Sequence, residues 1–262
     1  MVFILGLSCV PAHSQLIMGA EGLGMGQATT ALPGYDWSLF SNPALINSER
    51  KAAGFYGLRN YGFAEITDMS AMGSVPTRLG VAALGFHRYG DNLFNETRIR
   101  LGYKNEWRSL HFGAVANYNH ISFGADYGSG GVLGLDLGLA AEITGDLWIG
   151  ARATNVNRPE YTYETMNEYL AREVAIGFSY GLNELAVFAF DMVKDVRFPL
   201  SYRGGLEISV IENLKVRLGV TTEPLSYSLG FGYGLDRWDI NFAVQKHELL
   251  GFSPGIDFML YF

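Results

Sequence analysis

The stretch "RWDINFAVQK", residues 237–246, decides the fold. In it Trp238, Ile240, Phe242 and Val244 alternate with polar or small residues. Successive side chains of a β-strand point to opposite faces, so this period of two predicts a strand with one apolar face.

The same alternation recurs elsewhere in the chain, with large apolar residues opposite glycine, alanine, serine and isolated charges. Strong examples are "VLGLDLGLAAEI" at 132–143, "NLKVRLGVT" at 213–221 and "YSLGFGYG" at 227–234. Weaker stretches of the same kind lie at 99–103, 110–118, 174–182 and 206–210, and the segments at 51–61, 65–75 and 185–193 are predicted to be strands mainly from their position. Counting segments between turn signals gives about fourteen strands of about ten residues, the length and even number expected of a bacterial outer-membrane barrel.

The predicted fold class is therefore all-β, a transmembrane antiparallel β-barrel of about fourteen strands. A soluble sandwich would also alternate, but the apolar faces of so many strands would overfill one core. Short turns alternate with loops, as in barrels that have short periplasmic turns. The longer predicted loops are 90–95, 124–131, 157–168 and 247–254. Trp107, Trp148 and Trp238 fall at the short turns, where we expect an aromatic girdle.

Composition limits the function classes. The 262 residues are 48% hydrophobic with a net charge of −7, which argues against a nucleic-acid partner. Residues 1–14 are predicted to be a secretory signal peptide that contains the single cysteine, Cys9. After it no stretch of 18 apolar residues occurs, so no transmembrane helix is expected.

The stretch "GMGQATTALPGYDWSLFSNPALI" at 24–46 has neither a helical nor a strand period. A lumen of about fourteen strands is wide, and irregular backbone is tolerated at membrane depth when it is buried in protein. We therefore predict that residues 15–48 form an N-terminal plug or hatch inside a barrel of residues 49–262. The residues of the predicted plug motif are Gly24, Gly26, Asp36, Asn42, Pro43 and Ala44.

This motif resembles the N-terminal signature of FadL-type and PorV/PorQ-type outer-membrane proteins, in which a glycine-rich start leads through an aspartate to Asn-Pro-Ala. The ending "HELLGFSPGIDFMLYF" at 247–262 resembles PorV/PorQ endings, in which a His and a Leu-Gly pair precede the final strand. The terminal aromatic also resembles the assembly signal of outer-membrane barrels.

The two resemblances imply two functions. A PorV/PorQ-like protein would be a non-enzymatic accessory of type IX protein secretion, with a secretion-pore or surface-attachment protein as partner. A FadL-like protein would pass hydrophobic small molecules through a plugged lumen and a lateral gap. The C-terminal resemblance favours the first function and the short outer loops favour the second. Outer-membrane lipid is a partner in both cases.

Charged residues on the predicted strands are expected to face the lumen, because an Arg or Lys facing lipid at the midplane costs about 2–4 kcal/mol. They would hold the N-terminal segment through Asp36 or line a polar path. The predicted lumen-facing charges are Arg98, Arg100, Lys104, Asp136, Arg203, Glu207, Arg217 and Asp239.

The stretch "NHISFG" at 119–124 resembles the sequence around the nucleophile of outer-membrane phospholipase A, and alternation places His120 and Ser122 outward. Such an enzyme needs a polar residue on the adjacent strand to orient the His. The outward positions of the next strand are leucines, so phospholipase activity is a remote alternative and His120 is interpreted as an interfacial residue. The other histidines are scattered, and we predict no catalytic site, metal or cofactor.

Overall fold

The computed structural model describes residues 17–124, 128–163, 166–183 and 185–262, so the predicted signal peptide lies outside the described residues. Fourteen antiparallel strands form a closed barrel, and two further strands form a separate hairpin. The all-β barrel predicted from the alternating stretches is confirmed. The barrel strands are β1 (Ala52–Arg59), β2 (Thr67–Thr77), β3 (Gly80–Gly90), β4 (Phe94–Trp107), β5 (Leu110–Phe123), β6 (Ser129–Thr144), β7 (Leu147–Ala153), β10 (Glu173–Leu182), β11 (Ala186–Asp195), β12 (Ser201–Ile211), β13 (Leu214–Thr222), β14 (Leu225–Leu235), β15 (Trp238–His247) and β16 (Gly251–Tyr261).

The barrel closes where β1 pairs with β16. Along each strand, apolar side chains that point outward alternate with side chains that point into the lumen. On β15, for example, Phe242 is 45% exposed and its neighbour Ala243 is fully buried. No helix among the described residues is long and apolar enough to cross a membrane.

Residues 17–48 are here called the N-terminal segment, and most of them pack against inward-facing residues of the barrel wall. The segment contains the short helix α1 (Ala20–Gly24) and two 3₁₀ helices, Asp36–Phe40 and Pro43–Leu45. Almost every residue from 17 to 46 is buried, apart from Pro33 and Gly34. Its apolar side chains form one core with inward residues of the wall, because the lumen offers them the shelter from water that a globular core would.

Two features differ from the sequence-based expectation. The stretch at 157–168, expected to be a loop, contains the hairpin of β8 (Glu160–Tyr163) and β9 (Met166–Tyr169). Trp148, expected in the lipid-facing girdle, lies against Ala44, Leu45 and Ala140 inside the barrel. The alternation of β7 places it on the same face as the inward-facing Arg152, because the two residues are four positions apart.

Two more 3₁₀ helices, Asn60–Gly62 and Ala64–Ile66, connect β1 to β2.

Candidate functional site

Glycines on the inner face of the wall mark the path of the N-terminal segment. A Cβ on Gly205 would lie 2.5 Å from the carbonyl oxygen of Met25, and a Cβ on Gly219 would collide with Gly26. Gly26 itself has a φ of +61° and passes within contact of the β12 and β13 backbones. Similar collisions with the segment would occur at Gly113, Gly138 and Gly150, and a tight contact at Gly230. The wall therefore has a trench without side chains, in which the backbone of the segment lies.

Two inward aspartates hold the segment by its backbone. Asp191 on β11 accepts hydrogen bonds from the amides of Thr29 at 3.0 Å and Thr30 at 2.9 Å. Asp257 on β16 accepts one from the amide of Ala20 at 2.6 Å. Both carboxyl groups are buried. These bonds satisfy amides that the irregular segment cannot pair within itself.

Asn42 and Pro43 form a corner at β5 and β6. The Asn42 side chain donates hydrogen bonds to the carbonyl oxygens of Thr30 at 2.6 Å and Leu139 at 3.0 Å. Its oxygen accepts the amide of Ala44 at 3.1 Å, which caps the 3₁₀ helix Pro43–Leu45. Asn42 thus joins two separate parts of the segment to each other and to the wall. The remaining motif residues lie elsewhere along the segment: Gly24 against Gly230, and Gly26 against the backbones of β12 and β13.

Asp36 lies at the opposite side of the barrel from this corner, beside the closing strands. It accepts hydrogen bonds from the Tyr261 hydroxyl and, at 3.4 Å, from Asn47, while Tyr261 also lies 2.7 Å from Asp239. A lumen-facing cation was expected to bind Asp36, but the phenol hydroxyl of Tyr261 binds it instead. A lumen cation meets the segment at Glu21, whose carboxylate is 3.8 Å from Arg217.

The structure places the predicted lumen-facing charges on the inner face but divides them into separate groups. Arg217 pairs with Glu207 at 2.6 Å, and Lys104 lies 3.1 Å from Ser48. Nearer the other end of the barrel Arg100 pairs with Asp136, and Arg203 lies 3.7 Å from Glu173. Arg98 pairs with Glu96, a residue that the charge prediction omitted. Buried charges require such partners, since an unpaired one is costly to desolvate.

A cavity of about 670 Å³ opens at the end of the barrel that carries the short turns. Barrels of this type have short turns on the periplasmic side, which gives the orientation. The lining of the cavity is mainly polar and includes Glu21, Asp36, Lys104, Trp148 and Tyr261. Because the N-terminal segment forms its floor, the cavity is a vestibule below the segment.

The wall is incomplete beside β7. This strand has 7 residues, whereas its neighbour β6 has 16, and the paired part of β6 begins at Leu137. At about 3.3 Å per residue and a tilt of about 45°, seven residues span roughly 16 Å, less than the apolar band of about 25 Å. Within the described part of the chain, residues 129–136 of β6 therefore have no strand paired with them on this side. We call this place the wall break.

An apolar groove of about 580 Å³ lies on the outer face of the wall directly below the wall break. Its floor contains Gly150 and Gly177, which pair across β7 and β10. Large side chains flank the floor: Leu110, Leu139, Ile149, Ile176, Phe178, Phe190 and Met192. The groove is thus a trough in the lipid-facing surface, suited to hydrocarbon.

In the phospholipase-like stretch, His120 and Ser122 alternate with the buried Asn119 and Ile121 and share the outward face of Tyr118. The register places His120 opposite Thr97 on β4 and Gly131 on β6, neither of which carries a carboxylate. The imidazole stacks on Tyr118, with ring centroids 6.3 Å apart. No group of three or more His, Cys, Asp or Glu side chains within the described ranges is placed to hold a metal ion.

Fold and site together define a bacterial outer-membrane β-barrel. The chain is similar to the solved structures of "CymD monoaromatic hydrocarbon channel" (TM-score 0.68, 13% identity, 94% of this chain and 97% of that one). It is also similar to the Pseudomonas putida toluene transporter TodX (0.63, 13%, 93% and 96%) and a Pseudomonas aeruginosa FadL homologue (0.60, 11%, 93% and 97%).

No protein-family model and no curated protein matches the chain. At 11–13% identity the structural likeness shows a shared fold, that of FadL-type barrels. It does not show the PorV/PorQ relationship that the C-terminal ending predicted, which stays a prediction.

Sequence reasoning missed the wall break and the inward trench. The trench had a signal, since Gly138, Gly205 and Gly219 all fall on the face opposite large apolar residues. The wall break had a weaker one: the stretch after β7 lacks the alternation found before it.

Proposed function

We propose that the protein is an outer-membrane channel for small hydrophobic molecules, which pass through the barrel wall at the wall break. The observation that carries this proposal is the wall break itself, because it adjoins an apolar, lipid-facing groove. The structural likeness to a monoaromatic hydrocarbon channel and a toluene transporter supports the same class of substrate.

In this proposal the N-terminal segment closes the lumen to water-soluble molecules. In support, the apolar residues of the segment share a core with inward residues of the wall, and the segment is held by Asp191, Asp257 and Asn42. A hydrophobic molecule does not need an aqueous path, because the membrane on the other side of the wall is the better solvent for it. A lateral route through the wall therefore suits such a substrate.

Uptake of radiolabelled toluene tests the proposal. The chain is expressed in a bacterial host that lacks a hydrocarbon channel, and uptake is compared with that of the empty vector. Ala151→Trp fills the groove, and Ala82→Trp places the same side chain on the lipid face of β3, four strands away. We expect uptake by the wild type and Ala82→Trp and reduced uptake by Ala151→Trp. Uptake equal to the empty vector in all three would reject the channel.

The second candidate is a type IX secretion accessory, which the ending at 247–262 favours by resemblance. Its partner would be a secretion-pore or surface-attachment protein. Cross-linking in the native host, followed by purification of the chain, tests it: recovery of such a partner together with no toluene uptake would favour this candidate over the channel.

A further inference from the structure

The edge of β6 at the wall break lies within the apolar band of the membrane. The register aligns Phe86, Ile99, Tyr118 and Leu133 as one outward row across β3 to β6, and all four are exposed on the lipid face. The next lipid-facing row, farther from the short turns, is more polar and consists of Arg88, Thr97, His120 and Gly131. Leu133 therefore belongs to the last apolar row before this polar row, and Leu135 lies closer to the short turns.

Backbone groups at this depth need partners within the protein. Lipid supplies no hydrogen bonds, so an open strand edge facing it is not tolerated. On the side of the wall break, β6 has lost the strand that would pair with Leu133 and Leu135. Another part of the chain must take the place of that strand.

A tight turn after β7 does so. The turn is closed by a hydrogen bond from the Arg158 amide to the Asn155 carbonyl oxygen at 3.0 Å, and it presents Val156 and Asn157 to β6. The Val156 amide donates to the carbonyl oxygen of Leu135 at 2.9 Å.

The Asn157 side chain continues the same ladder. Its Oδ1 accepts the Leu135 amide at 2.9 Å, and its Nδ2 donates to the Leu133 carbonyl oxygen at 2.9 Å. One donor and one acceptor, spaced to meet alternate residues of a strand, reproduce what the N–H and C=O of one residue in a parallel neighbouring strand would offer.

We propose that the Asn157 side chain is the latch that closes the barrel wall beside β7. It holds the turn against the β6 edge, and its release frees the Leu133 carbonyl and the Leu135 amide. The inference deepens the proposed function and rests on it in one respect: the latch would control the lateral route of a hydrophobic molecule.

The variant Asn157→Ala removes both bonds, whereas Asn157→Asp keeps the acceptor and loses the donor. Asn95→Ala is the matched control, because Asn95 also donates from its side chain to a backbone carbonyl at the outer end of a strand, here that of Asp91 at 3.3 Å. Amide hydrogen exchange of the full chain in micelles is the readout.

We expect exchange at the Leu135 and Val156 amides to become about tenfold faster in Asn157→Ala, with a smaller change in Asn157→Asp and none in Asn95→Ala. The Leu139 amide, in the paired part of β6, should be unchanged in all variants and shows that the barrel is folded. Unchanged exchange at Leu135 and Val156 in Asn157→Ala overturns the latch.

Toluene uptake by the same variants separates the latch from the channel. Faster uptake by Asn157→Ala than by wild type supports control of the lateral route. Faster exchange with wild-type uptake limits the latch to wall structure and overturns that control. Uptake by no variant, wild type included, rejects the proposed channel and leaves the exchange result standing as the test of the latch.

Discussion

Single polar residues decide how firmly the N-terminal segment is held, because its backbone has few partners of its own. Asn42 is fully buried and bonds Thr30, Leu139 and Ala44. Replacing it by Ala leaves buried carbonyl and amide groups without a partner, each costing about 1–3 kcal/mol. A sequence of this kind reveals that Asn-Pro favours a corner, but it cannot reveal that Thr30 lies beside it, since that contact depends on the tertiary path.

We expect Asn42→Ala to increase cleavage of the segment by chymotrypsin while the barrel stays folded. The segment offers Tyr35, Trp37 and Phe40 as cleavage sites, all of them buried in the wild type. Asn47→Ala, at the edge of the vestibule, is the control and should change cleavage less. Equal cleavage of Asn42→Ala and wild type would show that the corner is only a connector.

Glu21 gives the segment a dependence on pH. It lies on α1, outside the strands, and burial raises its pKa from 4.5 to about 8, with Arg217 lowering it and Glu207 raising it. The docked segment therefore keeps a proton that a released segment loses between these two values. Docking is strongest below pH 4.5 and weakens as the pH rises through about 8, by at most about tenfold per pH unit.

Recordings in planar bilayers at pH 6 and pH 9 measure this effect. We expect more current noise at pH 9 in the wild type, and the same low noise at both values in Glu21→Gln, which cannot ionise. Glu49→Gln removes an exposed carboxylate at the same end and should behave like the wild type. A pH response that persists in Glu21→Gln would assign the effect to another group.

At the scale of elements, the trench on the wall and the backbone of the segment fit each other. Val at position 219 would place its Cβ against Gly26, whereas Gly57 on β1 has open space around an added Cβ. We expect Gly219→Val to displace the segment and expose it to chymotrypsin, and Gly57→Val to leave it protected. Loss of folded barrel in both variants would mean that the strands, rather than the segment, need these glycines.

The alternation of side chains made the strands predictable, whereas the contents of the lumen were not. "RWDINFAVQK" predicts β15 because its period of two is a local property of the chain. Trp148 was misplaced because a short strand turns its side chain inward to meet Ala44, a residue about a hundred positions earlier. The hairpin after β7 was missed because its packing against β6 is likewise not local. The alternation of side chains predicts which face of the barrel wall a residue occupies only where the strand itself has been located.

At the scale of the whole molecule, ring closure holds the barrel together without a covalent link. The only cysteine in the sequence is Cys9, so no disulfide can form within the chain. Closure depends on the seam between β1 and β16, where Ala52 to Leu58 pair with Tyr261 to Gly255. Every strand in the ring then has a partner on each side, and only the part of β6 at the wall break lacks one, which removes most of the open edges that lipid would penalise.

We therefore expect the folded protein to stay in the membrane at alkaline pH and to migrate faster in SDS gels before boiling than after it, with or without reductant. Phe55 is paired within the seam and 54% exposed to lipid, so Phe55→Pro removes one ladder hydrogen bond at the closing strand while Phe55→Leu keeps the backbone intact. The proline variant should lose the fast-migrating form, because one broken strand leaves the whole ring open, and the leucine variant should retain it. If the proline variant keeps the fast-migrating form, pairing of β1 with β16 is not what stabilises the barrel. Recovery of the wild-type protein in soluble form would contradict the membrane barrel itself.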